Sequence, residues 1–471
     1  MRKSDNNISV KLARIVYGKH GVSRAVMVAL MSLVSLSVES QESWTMRQCV
    51  TYALEHNHDV RCAELELDSY KARQTGAVGR FLPYVSADVS AQYNFGRAIN
   101  PETNGYTDVS TFYNSYSLSA SLPVFDGFSR LHALRAAKAG VLMGRHSLRQ
   151  RQDETALSVL RSFVNVAYHE GLVRMAEEKA EETRLLLRQT RVMEEIGRKS
   201  AVDVAQMESQ QAEADYEWTR QKSLLASALL ELKKDMAYPI DDTLMIDFSR
   251  GGDLFASSSD ISLSDIGTAD DIEYNAELLA SRYQMQISRH EWRQARASLF
   301  PSISLSTGVG TTYYHTLHSD AGQSFREQFK NNKGEYVAAT LSIPLFNRLQ
   351  TITSIRCART SFKMAEEAHA QKRTELEKLR REAWQDWLSY QKQAAQMAKK
   401  VEADSLTYQL TRRQYETGLS TSIDLRSTSA QLLNSRATLL QCRLMTKVKE
   451  QLVRYYRGET IMEDESLRVS R

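Results

Sequence analysis

The chain has 471 residues, a quarter of them charged, with 20 glycines and only six prolines. Its formal charge of +4 sits entirely in residues 1–40, which hold six basic and two acidic groups and leave 55 of each sign in the rest. A body that is neutral lacks the basic footprint that nucleic-acid binding needs, and this length allows several domains or one elongated body.

Residues 1–40 read as a signal peptide. A basic lead precedes the apolar run Ala25–Val38, which is too short for a comfortable membrane span but suits a signal h-region. Small residues at Ser37 and Ser40 suit cleavage. A cytoplasmic chain with an apolar N-terminal helix is the plainer alternative. No later apolar run is long enough for a transmembrane helix, so any membrane-embedded part must be made of strands.

From there the chain says the same thing twice, and repetition constrains a fold before any other signal. Asn57, Pro83, Pro123, Gly197 and Asp203 recur as Asn275, Pro301, Pro344, Gly418 and Asp424. The offset is 218 at the first two and 221 at the rest, so one loop of the second copy is three residues longer. The first repeat spans 41–240, a linker 241–270, the second repeat 271–458, and a tail 459–471.

Within the first repeat, strands are expected at about 83–96 and 113–124. After Pro83, Val85, Ala87, Val89, Ala91 and Tyr93 alternate with Ser86, Asp88, Ser90, Gln92 and Asn94; before Pro123, Tyr116, Leu118, Ala120 and Leu122 alternate with serines. Strict alternation makes one face apolar and the other wet, and about ten residues suit a tilted transmembrane strand. A soluble hairpin packed on helices is the plainer alternative. The polar segment between the strands, from Gly96 to Tyr113, reads as a loop.

No proline falls between Pro123 and Pro239, which permits a long helical hairpin over about 128–236. Its first arm would be about 100 Å long at about 1.5 Å per residue. Gly197 suits the left-handed residue that closes a helix, Ser200 a cap for the returning one, and Asp203 its first turn.

The second repeat follows the same order. Strands are expected at about 301–314 and 335–345, separated by a polar loop from Tyr314 to Glu335. A hairpin follows over about 349–457, closing at Gly418 with Ser420 or Thr421 as cap and Asp424 in the first turn. Leu376, Leu379, Ala383, Trp387, Tyr390 and Ala394 step by three or four, a coiled-coil-like seam. Four strands cannot close a barrel, and open edges are not tolerated in lipid. If the strands span a membrane, several chains share one barrel, and three copies give twelve strands.

Sites for chemistry are missing. The ten histidines show no metal spacing, and His290-Glu291 lacks the second histidine of a zinc protease motif. There is no phosphate-binding loop and no G-x-S-x-G elbow. Cys49, Cys62, Cys357 and Cys442 have no CxxC spacing; they read as buried thiols, with one disulfide the alternative. No cofactor, metal or catalytic residue is expected, and the chain does not read as an enzyme. A structural coiled-coil protein of the periplasm, without channel activity, is the competing reading; it would have no use for the alternating strands.

The duplicated order, the Gly-x-x-x-x-x-Asp turns, and the run Tyr415-Glu-Thr-Gly418 with Ile423-Asp424-Leu425 resemble the TolC-like outer membrane efflux proteins (outer membrane factors). The segment Asn94–Pro101 is similar to the version in Bacteroidota members. The resemblance implies a mainly α fold with a transmembrane β part: a homotrimer whose twelve-stranded β-barrel crosses the outer membrane and continues as an α-helical barrel through the periplasm. It implies a passive conduit for efflux or type I secretion, a periplasmic membrane-fusion adaptor, and an RND or ABC transporter in the inner membrane. Gly197, Arg198, Gly418 and Leu419 would form the adaptor-docking tip. In the family a tyrosine and an arginine on this turn, with acids on the returning helix, close the tip. Tyr415, Asp424 and Asp203 match; Ser420 stands at the arginine position and Ser427 at the second acid. Asp203 therefore lacks its family partner, and Arg198 or Arg426 is the candidate substitute.

Overall fold

The computed structural model describes residues 43–99, 104–108, 110–246, 269–317 and 323–457. The expected signal peptide, the C-terminal tail and most of the linker lie outside the described residues.

Two short helices come first, α1 (Met46–His56) and α2 (His58–Gly79). Thr45 caps α1 in a reciprocal box with Gln48, and Asn57 both ends α1 and caps α2, where its side chain accepts from the Asp59 N–H. Then come β1 (Tyr84–Asn94), the short pair β2 (Arg97–Ile99) and β3 (Tyr106–Asp108), β4 (Thr111–Phe125), and the hairpin of α3 (Ser129–Glu195) and α4 (Ala201–Met236). After a 3₁₀ turn over Ala269–Tyr274, the order continues with α5 (Ala276–Ala297), β5 (Ser302–Thr316), α6 (Phe325–Asn331), β6 (Gly334–Ser342), α7 (Gln350–Thr417) and α8 (Ser422–Tyr456). Asn275 caps α5 as Asn57 caps α2.

The four long strands form one antiparallel sheet in the order β1-β4-β5-β6, and among the described residues neither outer edge has a strand partner. Register puts Val85, Ala87, Val89, Ala91 and Tyr93 beside Ala120, Leu118, Tyr116, Asn114 and Phe112, and these beside Thr307, Val309, Thr311, Tyr313 and His315. Val337, Ala339 and Leu341 extend the same face across β6. The opposite face carries the serines, where Ser86 meets Ser119 and Ser90 meets Ser115 hydroxyl to hydroxyl. One apolar and one hydroxyl-lined face is the pattern of a sheet between lipid and water. Val89, at 69 % exposure, and Val337, at 84 %, are left largely uncovered by the described residues of one chain.

The sheet passes into the helices through matched left-handed pairs. Gly127 and Phe128 precede α3 with φ of 65° and 67°; Arg348 and Leu349 precede α7 with 55° and 63°. A Cβ on Gly127 would lie 2.5 Å from the Ala297 carbonyl oxygen, so space requires glycine there, whereas the matched position carries Arg348 at a similar φ.

Apolar residues of α1, α3 and α4 make one core around Val159, Phe163, Leu232 and Met236, fringed by Trp44, Tyr52 and Tyr238. A second core joins α3 to α7 and α8 through Leu160, Val164, Trp387 and Val448. A third, around Leu186, Met207, Tyr408, Tyr415 and Leu425, ties the distal ends of the two hairpins. With 67 and 68 residues, α3 and α7 are each about 100 Å long at about 1.5 Å per residue. In the seam of α7, Leu376, Ala383 and Trp387 are buried, and Leu379, Tyr390 and Ala394 are half-buried.

Three expectations need correction. The segment from Tyr314 to Glu335 is not all loop, because Ser324 and Glu327 form a capping box that starts α6. The segment from Gly96 to Tyr113 contains β2 and β3, paired as an antiparallel ladder with Arg97 over the Tyr106 ring at 5.4 Å. The four cysteines are free, but only Cys49 and Cys442 are buried; Cys62 and Cys357 are exposed. Burial pushes the Cys49 thiol up to about 12, which leaves it unreactive.

Candidate functional site at the hairpin tips

Both hairpins turn by the same device. At the first tip Gly197 takes φ +75°, its N–H donates to Glu194 O at 2.9 Å and the Arg198 N–H to Met193 O at 2.8 Å. At the second, Gly418 takes φ +82°, its N–H donates to Tyr415 O at 3.1 Å and the Leu419 N–H to Gln414 O at 2.8 Å. These are Schellman closures, which satisfy carbonyls at the helix end and require a left-handed residue. A Cβ at either glycine would meet nothing within 4 Å, so backbone conformation alone demands glycine.

Each returning helix starts from a capping box. Ser200 Oγ accepts from the Asp203 N–H, while Asp203 Oδ2 accepts from Ser200 N at 3.0 Å and Ser200 Oγ at 2.8 Å. At the other tip Thr421, rather than Ser420, is the cap: Asp424 Oδ2 accepts from Thr421 Oγ1 at 2.6 Å and Thr421 N at 3.1 Å. Ser420 Oγ adds a donor at 3.3 Å. The backbone and hydroxyl of Ser200, and then the Lys199 charge, hold the Asp203 carboxyl below its ordinary value. The Thr421 hydroxyl, its N–H, and then Ser420 do the same for Asp424.

Tyr415 lies between the two hairpins. It is 2 % exposed, and its Oη lies 3.1 Å from Thr190 Oγ1. The Thr190 hydroxyl already donates to Leu186 O, so Tyr415 is the donor. Lys199 Nζ lies 4.0 Å from the centre of the Tyr415 ring. Burial raises the Tyr415 phenol, and the nearby Asp203 charge adds to the shift. The structure thus brings together Tyr415, Thr190, Lys199 and Asp203, one residue from the second tip and three from the first.

The other candidates are placed differently. Asp424 is exposed and engaged in its own cap, and Ser427 is exposed one turn further along α8. Arg426 does not serve Asp203, because it pairs with Glu213 at 3.1 Å. Arg198 is exposed at the turn. The cation beside Asp203 is Lys199, and neither Arg198 nor Arg426 takes that place. Its neighbour Arg198 marked the right turn, but which basic side chain folds inward depends on how the hairpins pack.

Further bonds run between the hairpins. Arg412 Nη1 meets Glu182 Oε1 at 3.0 Å, and Lys179 lies 6.0 Å from the Tyr408 ring centre. Ser422 Oγ donates to Gln206 Oε1, and Gln210 Nε2 donates to Ser422 O at 3.4 Å. Burial lowers the Lys179 ammonium and raises the Tyr408 phenol, with Glu182 opposing the first shift and adding to the second. At the outer surface of the turns Ile196, Val202, Leu419 and Ile423 are exposed apolar side chains. Among the described residues, no group of three or more His, Cys, Asp or Glu side chains is placed to hold a metal ion.

Comparison with known proteins adds four findings. The family model for outer membrane efflux proteins matches residues 50–236 and again 271–458. The probable efflux pump outer membrane protein TtgC of Pseudomonas putida is 23% identical over 414 residues, covering 86% of this chain and 81% of that protein. The alkaline protease secretion protein AprF of Pseudomonas aeruginosa is 22% identical over 317 residues, covering 65% and 62%. Among solved structures, CusC superposes with a TM-score of 0.76 at 17% identity, covering 88% of this chain and 92% of that one.

Proposed function

Because the chain belongs to the outer membrane efflux protein family, we propose that three copies join their four-stranded sheets into one twelve-stranded barrel and their hairpins into one tunnel. The protein is an outer-membrane channel of the tripartite export class, a conduit rather than a catalyst. The observation that carries the trimer is the sheet itself. It has an apolar face and a hydroxyl-lined face, and among the described residues its edges at β1 and β6 have no partner. Unpaired strand edges are too costly in lipid, so the sheet needs neighbours on both sides. The duplication fits this arrangement, since each chain then supplies two near-equivalent staves.

In this reading the tips form the periplasmic end. Tyr415, Lys199, Thr190 and Asp203 hold the two hairpins of one protomer together there, and opening requires that contact to loosen. The exposed Ile196, Val202, Leu419 and Ile423, with Arg198 and the turn glycines Gly197 and Gly418, form the face for a periplasmic adaptor. An inner-membrane transporter of RND or ABC type supplies the energy. Three exposed Asp424 carboxylates would ring the end of the tunnel and favour cations, as charged rings do in other channels. Asp424→Ala is expected to lower cation preference and block by multivalent cations in planar-bilayer recordings; unchanged selectivity and block would remove Asp424 from this role.

The decisive test is assembly and conductance of the purified full-length protein. The expectation is a trimeric mass by light scattering and discrete single-channel steps in a planar bilayer. A monomer without conductance would overturn the reading in favour of a structural periplasmic protein.

A further inference from the structure

The helix α6 lies where a transmembrane sheet should present only lipid-facing side chains. β5 runs to Thr316, but its partner β6 begins at Gly334, opposite Gly310. Beyond that point, among the described residues, one edge of β5 has no strand. Side-chain amides from α6 and its end take the strand's place. Tyr314 N donates to Gln328 Oε1 at 2.9 Å, Gln328 Nε2 donates to Tyr314 O at 2.8 Å, and Asn332 Nδ2 donates to Thr312 O at 2.8 Å. Gln328 is 6 % exposed, and Thr311 Oγ1 donates to Phe329 O at 2.8 Å. The helix is therefore fixed to the sheet by a side-chain substitute for a ladder.

Its position selects the apolar face. Phe325 packs on Tyr313 and Tyr116 with ring centres 5.1 and 6.3 Å away, and Phe329 on Tyr116 at 5.4 Å. Tyr116, Thr311 and Tyr313 share the face of Val85, Leu118 and Val337. With Tyr93 and Phe112 they form a band of aromatic rings at one end of that face. Phe125 marks the other end. The separation of Tyr116 and Phe125 along β4 corresponds to roughly 23 Å across the bilayer, at about 3.3 Å per residue and a tilt of about 40°. That is close to the apolar band of about 25 Å that aromatic girdles flank.

At the level of this girdle α6 carries two cations on one flank. Arg326 and Lys330 are four residues apart, beside the exposed edges of Phe325 and Phe329, and both are exposed. Among the described residues neither forms an ion pair, whereas Lys333 nearby is paired with Glu335 at 2.5 Å. The acid of the helix, Glu327, is occupied by its capping box with Ser324. Aromatic side chains at the interface with exposed cations on the same helix match a lipid whose headgroup carries phosphate.

We propose that α6 is an interfacial anchor that binds a phosphate-bearing lipid headgroup of the outer leaflet, with Arg326 and Lys330 contacting the phosphates and Phe325 and Phe329 the upper acyl chains. The proposal rests on the outer-membrane channel reading and adds a lipid specificity to it.

The test uses full-length protein purified in mild detergent, incubated with micelles doped with diphosphoryl lipid A or with phosphatidylcholine, and examined by native mass spectrometry for retained lipid. Wild type is expected to retain diphosphoryl lipid A about ten-fold over phosphatidylcholine, and Arg326→Gln/Lys330→Gln to lose most of that preference. Arg326→Lys, which keeps the charge, should keep it. Equal retention of both lipids by wild type, or an unchanged preference in the double variant, overturns the proposal. A double variant that keeps the lipid preference but loses oligomer stability makes α6 a contact between copies instead, and also overturns it. Conductance is recorded on the same samples. A conducting protein without lipid preference counts against this inference alone, whereas a protein that neither assembles nor conducts counts against the channel reading.

Discussion

The two hairpin tips share a backbone and differ in their side chains. An offset of 221 superimposes Gly197 on Gly418, Ser200 on Thr421 and Asp203 on Asp424, and the Schellman and capping bonds correspond one for one. The same offset sets Glu194 against Tyr415, Lys199 against Ser420 and Arg198 against Leu419. Tyr415 is buried between the hairpins, while Glu194 points into solvent. The closure geometry is common to both copies, and the contact that joins them is asymmetric: an aromatic from the second tip received by a cation and a hydroxyl from the first.

The largest expected effect breaks that contact. Tyr415→Ala removes a buried ring and its bond to Thr190, and should destabilise the paired tips by about 3 kcal/mol. Glu194→Ala, the matched change in the other copy, should stay within about 0.5 kcal/mol. Amide hydrogen exchange over the last turns of α3 and α7 measures both, since it reports local opening. Comparable effects from the two changes would end the asymmetry. Next in size is the shared backbone. Gly197→Ala and Gly418→Ala each force a Cβ into the left-handed region, at about 1 kcal/mol apiece. Here the two tips should respond alike in the same exchange measurement, because neither glycine has a crowding neighbour.

The capping acids offer a pH comparison. Both carboxyls are held below their ordinary value in the folded protein. A lowered folded pKa contributes stability that is present above the ordinary carboxylate range and is lost as pH falls through the folded value. Both tips should therefore loosen only below about pH 4, and Asp203→Asn or Asp424→Asn should flatten that acid response at its own tip. Lys199 contributes to the shift at Asp203, whereas Asp424 relies on neutral donors. Added salt should weaken the acid resistance of the first tip more than that of the second. An equal salt response at both, read by exchange at pH 3 to 5, would mean that Lys199 is electrostatically silent.

Much of this was legible in the residues. Proline spacing marked where long helices can run, and alternation marked the strands, because both signals act along the chain. Ser324-Phe-Arg-Glu327 is a capping box written in the residues, but it lies in a polar segment too short in apolar periodicity to signal a helix. The exposure of Cys62 and Cys357 could not be read, since cysteine chemistry does not say which face of a helix is covered. The inward turn of Lys199 is of the same kind. Arg198 and Lys199 are adjacent and both basic, and only the packing of α7 against α3 decides which of them meets Tyr415.

That decision sets the smallest prediction. Lys199→Gln removes the cation over the ring and should cost about 0.5–1 kcal/mol at the tip. Lys199 has two neighbours through which it can act, the Tyr415 ring at 4.0 Å and the Asp203 carboxylate. A double-mutant cycle separates them. On a Tyr415→Phe background the ring remains and the cation–π contribution persists, so Lys199→Gln should cost nearly as much as in wild type. On a Tyr415→Ala background it should cost almost nothing. If the full cost survives the loss of the ring, the cation acts through Asp203. The asymmetry would then lie in the first tip alone, with Tyr415 held by burial and by Thr190.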